Sequence, residues 1–175
     1  TTGQVGGVFP LAGYEVGFNL PLGPVFFLGA GHSWTKGGSA SIADGTDGAN
    51  SFGTKEGGND VDDLSNFHLK AKNLKEVYIM PSISIYDNSA IYVKLGRAIA
   101  DTEFTGNATG IPGNLTGDLI GFGTIAMTDS GIFVKTEGSV TRFDDIEIIG
   151  VGGSSAKIEG TPDVVAGTIA IGFKF

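Results

Sequence analysis

Apolar and polar residues alternate along most of this chain with a period of two, the spacing of side chains on opposite faces of a β-strand. The pattern is cleanest at the C-terminus. Val165, Gly167, Ile169, Ile171, Phe173 and Phe175 share one face, and Ala166, Thr168, Ala170, Gly172 and Lys174 share the other. Earlier segments repeat the arrangement. Ile132, Val134, Val140, Ile146 and Ile148 oppose Lys135, Glu137, Ser139, Thr141, Asp145 and Glu147. Val77, Ile79, Pro81, Ile83 and Ile85 oppose Glu76, Tyr78, Met80, Ser82 and Ser84. Ile91, Val93, Leu95 and Ile99 oppose Tyr92, Lys94, Gly96, Ala98 and Ala100, and Ala12, Tyr14, Val16 and Phe18 oppose Gly13, Glu15, Gly17 and Asn19. Residues 25–36 and 118–128 also read as strands, although Phe26-Phe27 and Leu119-Ile120 leave their faces undecided.

The connections divide into two kinds. Residues 19–24, 86–89 and 128–131 are short and carry turn residues, whereas 37–66, 105–116 and 150–163 are long and polar. Short and long connections alternate along the chain, the signature of an up-and-down barrel with tight turns at one end and long loops at the other. The predicted fold is all-β: one antiparallel transmembrane β-barrel domain over Thr1–Phe175 with about eight strands, seven of them visible.

Composition bears on which face is outside. Charged residues make up 17% of the 175 residues, below the roughly 25–35% of a soluble domain's surface, and mean hydropathy is +0.15. No segment approaches the roughly 20 apolar residues of a spanning helix. A soluble ligand-binding barrel shows the same period with its faces inverted. Here the polar face is mostly Gly, Ala, Ser and Thr, suited to a narrow lumen. It carries both charge signs in Glu15, Glu76, Lys94, Lys135, Glu137 and Lys174, a mixed set able to pair internally. Val77, Ile79, Ile83, Val93, Val134, Ile169, Ile171 and Phe173 are then lipid-facing.

Candidate chemistry is sparse. There are two histidines and no cysteine, so no disulfide framework or thiolate site exists. His32 and Ser33 are adjacent, hence on opposite strand faces, and cannot form a base–nucleophile pair. Beside Trp34, His32 suits a headgroup belt. The acidic residues Asp44, Asp47, Asp60, Asp62 and Asp63 fall in the first long connection, without EF-hand or calcium-solenoid spacing, and read as a solvated external loop. Arg97 has lipid-facing parity, which places it near an interface, at a bulge or against a partner. A net charge of −8 argues against nucleic acid. The expectation is a non-enzyme with no catalytic residues, metal or cofactor. No N-terminal basic and apolar leader pattern is present, so a signal peptide is absent or already removed.

Several stretches resemble a known family. The ending Gly172-Phe173-Lys174-Phe175, with Phe173 and Phe175 as its aromatic pair, resembles the C-terminal insertion signal of Gram-negative bacterial outer-membrane barrels. Residues 77–96, and 121–129 followed by 134–138, resemble hairpins of OmpA/opacity-type eight-stranded barrels, relatives of the porin family. The resemblance implies an outer-membrane location in the cell envelope with long surface loops external and the C-terminus periplasmic. Outer-membrane lipid, lipopolysaccharide and the barrel-insertion machinery are the implied partners. It implies a structural or surface-contact and adhesion role, with a narrow porin-like pore or a lipid-modifying enzyme as alternatives. Family barrels have an even strand number, and seven strands put Thr1 on the external side. An eighth strand is therefore expected, from residues absent here, from another chain, or from within residues 37–66.

Overall fold

A computed structural model describes residues 10–36, 40–45, 67–105, 108–109, 111–150 and 157–175. Its strands are β1 (Ala12–Pro21), β2 (Phe26–Lys36), β3 (Ala40–Gly45), β4 (Phe67–Tyr86), β5 (Ser89–Thr105) and β6 (Ala108–Thr109). They continue as β7 (Asn114–Met127), β8 (Ile132–Phe143), β9 (Ile146–Gly150), β10 (Lys157–Gly160) and β11 (Asp163–Phe173). The main sheet has the order β1-β2-β4-β5-β7-β8-β11, every neighbouring pair antiparallel, and it curls into a half-barrel.

Short turns close one end. Gly131 supplies a backbone φ of 86° in the β7–β8 turn, a conformation that costs little without a Cβ. Its N–H donates to Thr128 O, and its carbonyl accepts from Lys174 N. At the other end the hairpins outgrow the main sheet. β3 continues the line of β2 and pairs with β4 from Ala40 opposite Ala71 to Gly45 opposite Phe67. β10, β9 and β6 form a second, three-stranded sheet. The segments expected to be irregular loops thus contain strands, because hairpin ladders propagate outward from paired strand ends. β3, within the connection where a further strand was one expectation, makes the sheet eight-stranded, but it lies off the main path, in line with β2 on the same edge of β4.

Facing residues decide the two surfaces. Inward positions of the edge strands β1 and β11 are exposed or half-buried, but those of the central strands are buried, Tyr92 and Lys94 each 2% exposed. Outward positions are not: Val77, Ile79, Val93, Val134, Ile169, Ile171 and Phe173 are all exposed, Ile169 at 78%, while Ile83 is half-buried between Phe26 and Ile91. The undecided strands resolve cleanly: Phe26 and Ile120 point outward, Leu119 inward. The alternation of β8 does not carry past Phe143: Ile146, of outward parity, is buried with Leu69, Leu115 and Phe143, and Glu147, of inward parity, is exposed. The ladder breaks at Asp144–Asp145, where Asp144 N donates to Thr116 O, and the break shifts the alternation by one. Asp145 accordingly lies outside the lumen, exposed and bonded by the Thr161 hydroxyl.

Candidate functional site

The concave face of the half-barrel has two layers. Toward the long connections an apolar cluster of Leu69, Ala98, Ala100, Leu115, Phe143 and Ile146 fills the space. Below it lies a polar network whose position follows from strand register. Glu15 stands opposite Ser33, and Ser33 opposite Glu76. Tyr92 stands opposite Gly123, and Gly123 opposite Glu137. The period of two points all these side chains inward.

Inside, the charges alternate in a continuous chain. Ser33 Oγ donates to Glu76 Oε2 at 2.6 Å, and Lys94 Nζ donates to the same oxygen at 2.7 Å. Lys94 also donates to Glu137 Oε1 at 3.0 Å, and Tyr92 OH donates to Glu137 Oε2 at 2.9 Å. Lys135 Nζ lies 3.2 Å from Glu137 Oε2 and reaches both oxygens of Glu15 at 2.6 and 2.7 Å. The two ammonium groups also face aromatic rings: Lys94 Nζ is 4.3 Å from the Tyr78 centroid, and Lys135 Nζ is 5.3 Å from that of Tyr92. Such contacts add to the ion pairing when desolvated.

Two glycines make room for those rings. A Cβ at Gly31 would collide with the Tyr78 phenol, and one at Gly123 with the Tyr92 phenol. The sequence signal for this was available in the glycines at inward parity, but pairing each with its tyrosine needed the cross-strand register.

Five of the six proposed lumen charges therefore meet in one network. The sixth, Lys174, lies just past the end of β11 and is exposed. Ser33 and the inward-parity tyrosines Tyr78 and Tyr92 also belong to the network; neutral polar residues carry no mark in the sequence that assigns them to particular charges. His32 points to the opposite face from Ser33, as its neighbour in the strand must. His68 stands in β4 opposite Asp44 and Thr105. Asp47, Asp60, Asp62 and Asp63 lie outside the described residues. Among the described residues no cluster of three or more His, Asp or Glu suits a metal ion.

The outer face has its own charged boundary. Arg97, Asp118, Arg142 and Asp163 occupy one cross-strand row over β5, β7, β8 and β11. Arg97 pairs with Asp118 at 2.6 Å and Arg142 with Asp163 at 3.2 Å. Arg97 also lies 3.6 Å from Asp144, so its outward parity is matched by carboxylates at the long-connection end. Farther along, Tyr14 and Trp34 pack edge to face at 5.4 Å. Beyond the row, Lys72 pairs with Glu103, and Asp101 accepts from Asn73 and Lys75. The Asn73 hydrogen bond, ahead of the lysine charges, holds the Asp101 carboxyl below the usual range; Lys72 does the same for Glu103.

The Ser33 hydroxyl is bonded to the Glu76 carboxylate, and the same oxygen also accepts from Lys94. Each carboxylate of the inner network is thus engaged by at least one lysine. Compared with models of protein families, with curated proteins and with solved structures, the chain matches none.

Proposed function

We propose that the chain is an integral membrane β-barrel of the bacterial outer membrane, non-enzymatic, with a structural or surface-contact role carried by its long connections. The observation behind this reading is inverted polarity. The five charged side chains of the inner network sit at 2% to 29% side-chain exposure, while Val165, Ile169, Ile171 and Phe18 stand on the outer face at 68% or more. In water that arrangement wastes apolar burial and buries ions at a cost. Against hydrocarbon it is the favourable one.

The dimensions agree. On β8 the outward stretch from Ile132 to Val140 ends at the charged row containing Arg142. Eight residue steps at about 3.3 Å, tilted by about 40°, give roughly 20 Å of apolar height, near the ~25 Å band of outer-membrane barrels. Tyr14 and Trp34 lie at the level where interfacial aromatics are enriched. The long connections on the charged side correspond to external loops, and the short turns and Phe175 to the periplasmic side. Outer-membrane lipid, lipopolysaccharide and the insertion machinery are the partners this reading entails, and OmpA/opacity-type barrels are the family that the residue pattern resembles.

A narrow pore is the second reading, favoured by the small inward residues Ala166, Thr168, Ala170 and Gly172 on β11. The continuous chain from Ser33 to Glu15 speaks for a filled lumen. Planar-bilayer recording separates the two. A filled barrel gives no stable single-channel steps, and steady conductance in the wild-type protein would favour the pore. Membrane integration itself is tested by alkaline carbonate extraction: retention in the membrane pellet is expected, and release to the supernatant would overturn the proposal.

A further inference from the structure

The apolar outer face carries one depression. Val93, Phe122, Gly138 and Gly167 form a single cross-strand rung over β5, β7, β8 and β11. Bulk gives out halfway along it, since a Cβ at Gly138 or Gly167 would meet open space. The result is an apolar groove at Gly138, walled by Val93, Ile120, Phe122, Val140 and Val165. One rung nearer the short turns, the Thr124 and Thr136 hydroxyls bond each other at 2.8 Å on the same exposed face.

Above the groove stands the charged row, in which Arg97, Asp118, Arg142 and Asp163 alternate in sign with their side chains exposed. Alternation has a symmetry consequence. Two copies inserted in the same sense are related by a two-fold axis along the membrane normal, and two-fold dimers are the commonest closed assembly. An axis passing between two neighbours of an alternating row sets each of them against the opposite charge on the other copy. A row of one sign would meet itself with repulsion. Arg142 and Asp163 stand two residues above Val140 and Val165, so an axis through the groove passes close to the gap between them.

We propose that the groove is the docking site for a second copy of this chain. The two copies are related by a two-fold axis along the membrane normal, with their groove walls interleaved and Arg142 of each copy facing Asp163 of the other. The five donors of a guanidinium let Arg142 hold its own Asp163 and reach a second carboxylate. Small and hydroxyl residues at the groove allow close approach of the two backbones, as they do between spanning helices. The inference rests on the membrane reading, because same-sense insertion is what fixes the axis.

The absence of cysteine allows single cysteines to be placed at will. Full chains are folded into lipid vesicles. Val140→Cys, in the groove wall, should form disulfide-linked dimers at least fivefold faster than Val77→Cys, an exposed outer position on β4. Energy transfer between donor- and acceptor-labelled copies, labelled through Asp87→Cys in the β4–β5 turn, should persist through tenfold dilution with lipid. Arg142→Asp or Asp163→Arg alone sets like charges across the axis and should weaken association at least tenfold. Mixing these two variants sets opposite charges across it again and should restore transfer to the wild-type level. Equal cross-linking rates, or no recovery on mixing, overturns the proposal. So does transfer that falls to the random level on dilution, which would mean that lipid alone fills the groove. If the charge variants do not fold, Gly138→Phe serves instead: its ring fills the groove and should cut transfer at least tenfold, and undiminished transfer overturns the docking site. Carbonate-resistant protein with only random transfer fails this inference alone, whereas carbonate release fails the membrane reading beneath it.

Discussion

Glu15 and Lys135, 120 positions apart in sequence, are joined by two short hydrogen bonds at 2.6 and 2.7 Å across the concave face. They tie β1 to β8, strands that are separated by four others in the sheet. The pair thus holds the curl of the sheet from inside, where no backbone ladder spans. Lys135→Met should loosen β1 selectively. Amide exchange is expected to accelerate in β1 and β2 while β5 and β7 keep their protection; uniform acceleration would mean that the pair matters only to global stability.

Lys94 is the central cation, bonded to both Glu76 and Glu137 and 2% exposed. Removing one partner of a buried pair costs about 3–5 kcal/mol because the other charge is left uncompensated. Lys94→Met should lower stability by that amount in urea unfolding from micelles. Replacing Lys94 together with Glu76 and Glu137 by apolar residues of similar volume should recover much of it.

Outer and inner positions on one strand should respond oppositely. Ile171→Lys puts an ammonium on the apolar outer face and should cost about 2–4 kcal/mol if that face meets lipid near the bilayer midplane. Thr168→Ser, on the inner face of the same strand, should be close to neutral. Equal folding yields of the lysine variant and the wild type in lipid vesicles would contradict the lipid-facing assignment.

Gly123 makes room for the Tyr92 phenol. Gly123→Val should displace the ring, break the Tyr92–Glu137 hydrogen bond and cost about 1–3 kcal/mol through overpacking. Tyr92→Phe, which removes the same bond without a clash, should cost about 1 kcal/mol. A valine variant as stable as wild type would show that both the ring and the facing Thr136 carbonyl give way at little cost.

Acid should act first on the hairpin beyond the charged row. The carboxyls of Asp101 and Glu103 titrate below their ordinary range. Their contribution is therefore present above the unfolded carboxylate pKa and is lost as pH falls through the lowered folded values. Amide exchange in the long-connection ends of β4 and β5 should quicken across that acid window. Because Glu103 is exposed and Asp101 only half-buried, both beyond the charged row, the change should remain local and leave the inner network's strands protected.

What the sequence determined by itself is what has a local cause. A period of two marks strands and their two faces wherever pairing is regular, so the antiparallel all-β character and the inward parity of Glu15, Glu76, Lys94, Lys135 and Glu137 were legible from alternation alone. Turn residues likewise marked the short ends. The tertiary structure decided what depends on register and on breaks in it. Phe26 and Phe27 are equally apolar, and only the pairing of Phe27 with Ser82 turns one of them inward. Ile146 kept the right local pattern but changed face, because the break at residues 144–145 inserts a phase shift that alternation cannot reveal. Lys174 had inward parity, yet the ladder stops at Phe173, and parity has no meaning past the end of a strand. Which lysine meets which glutamate is likewise set by the curl of the whole sheet, a long-range property that brings residues 120 positions apart within hydrogen-bonding distance.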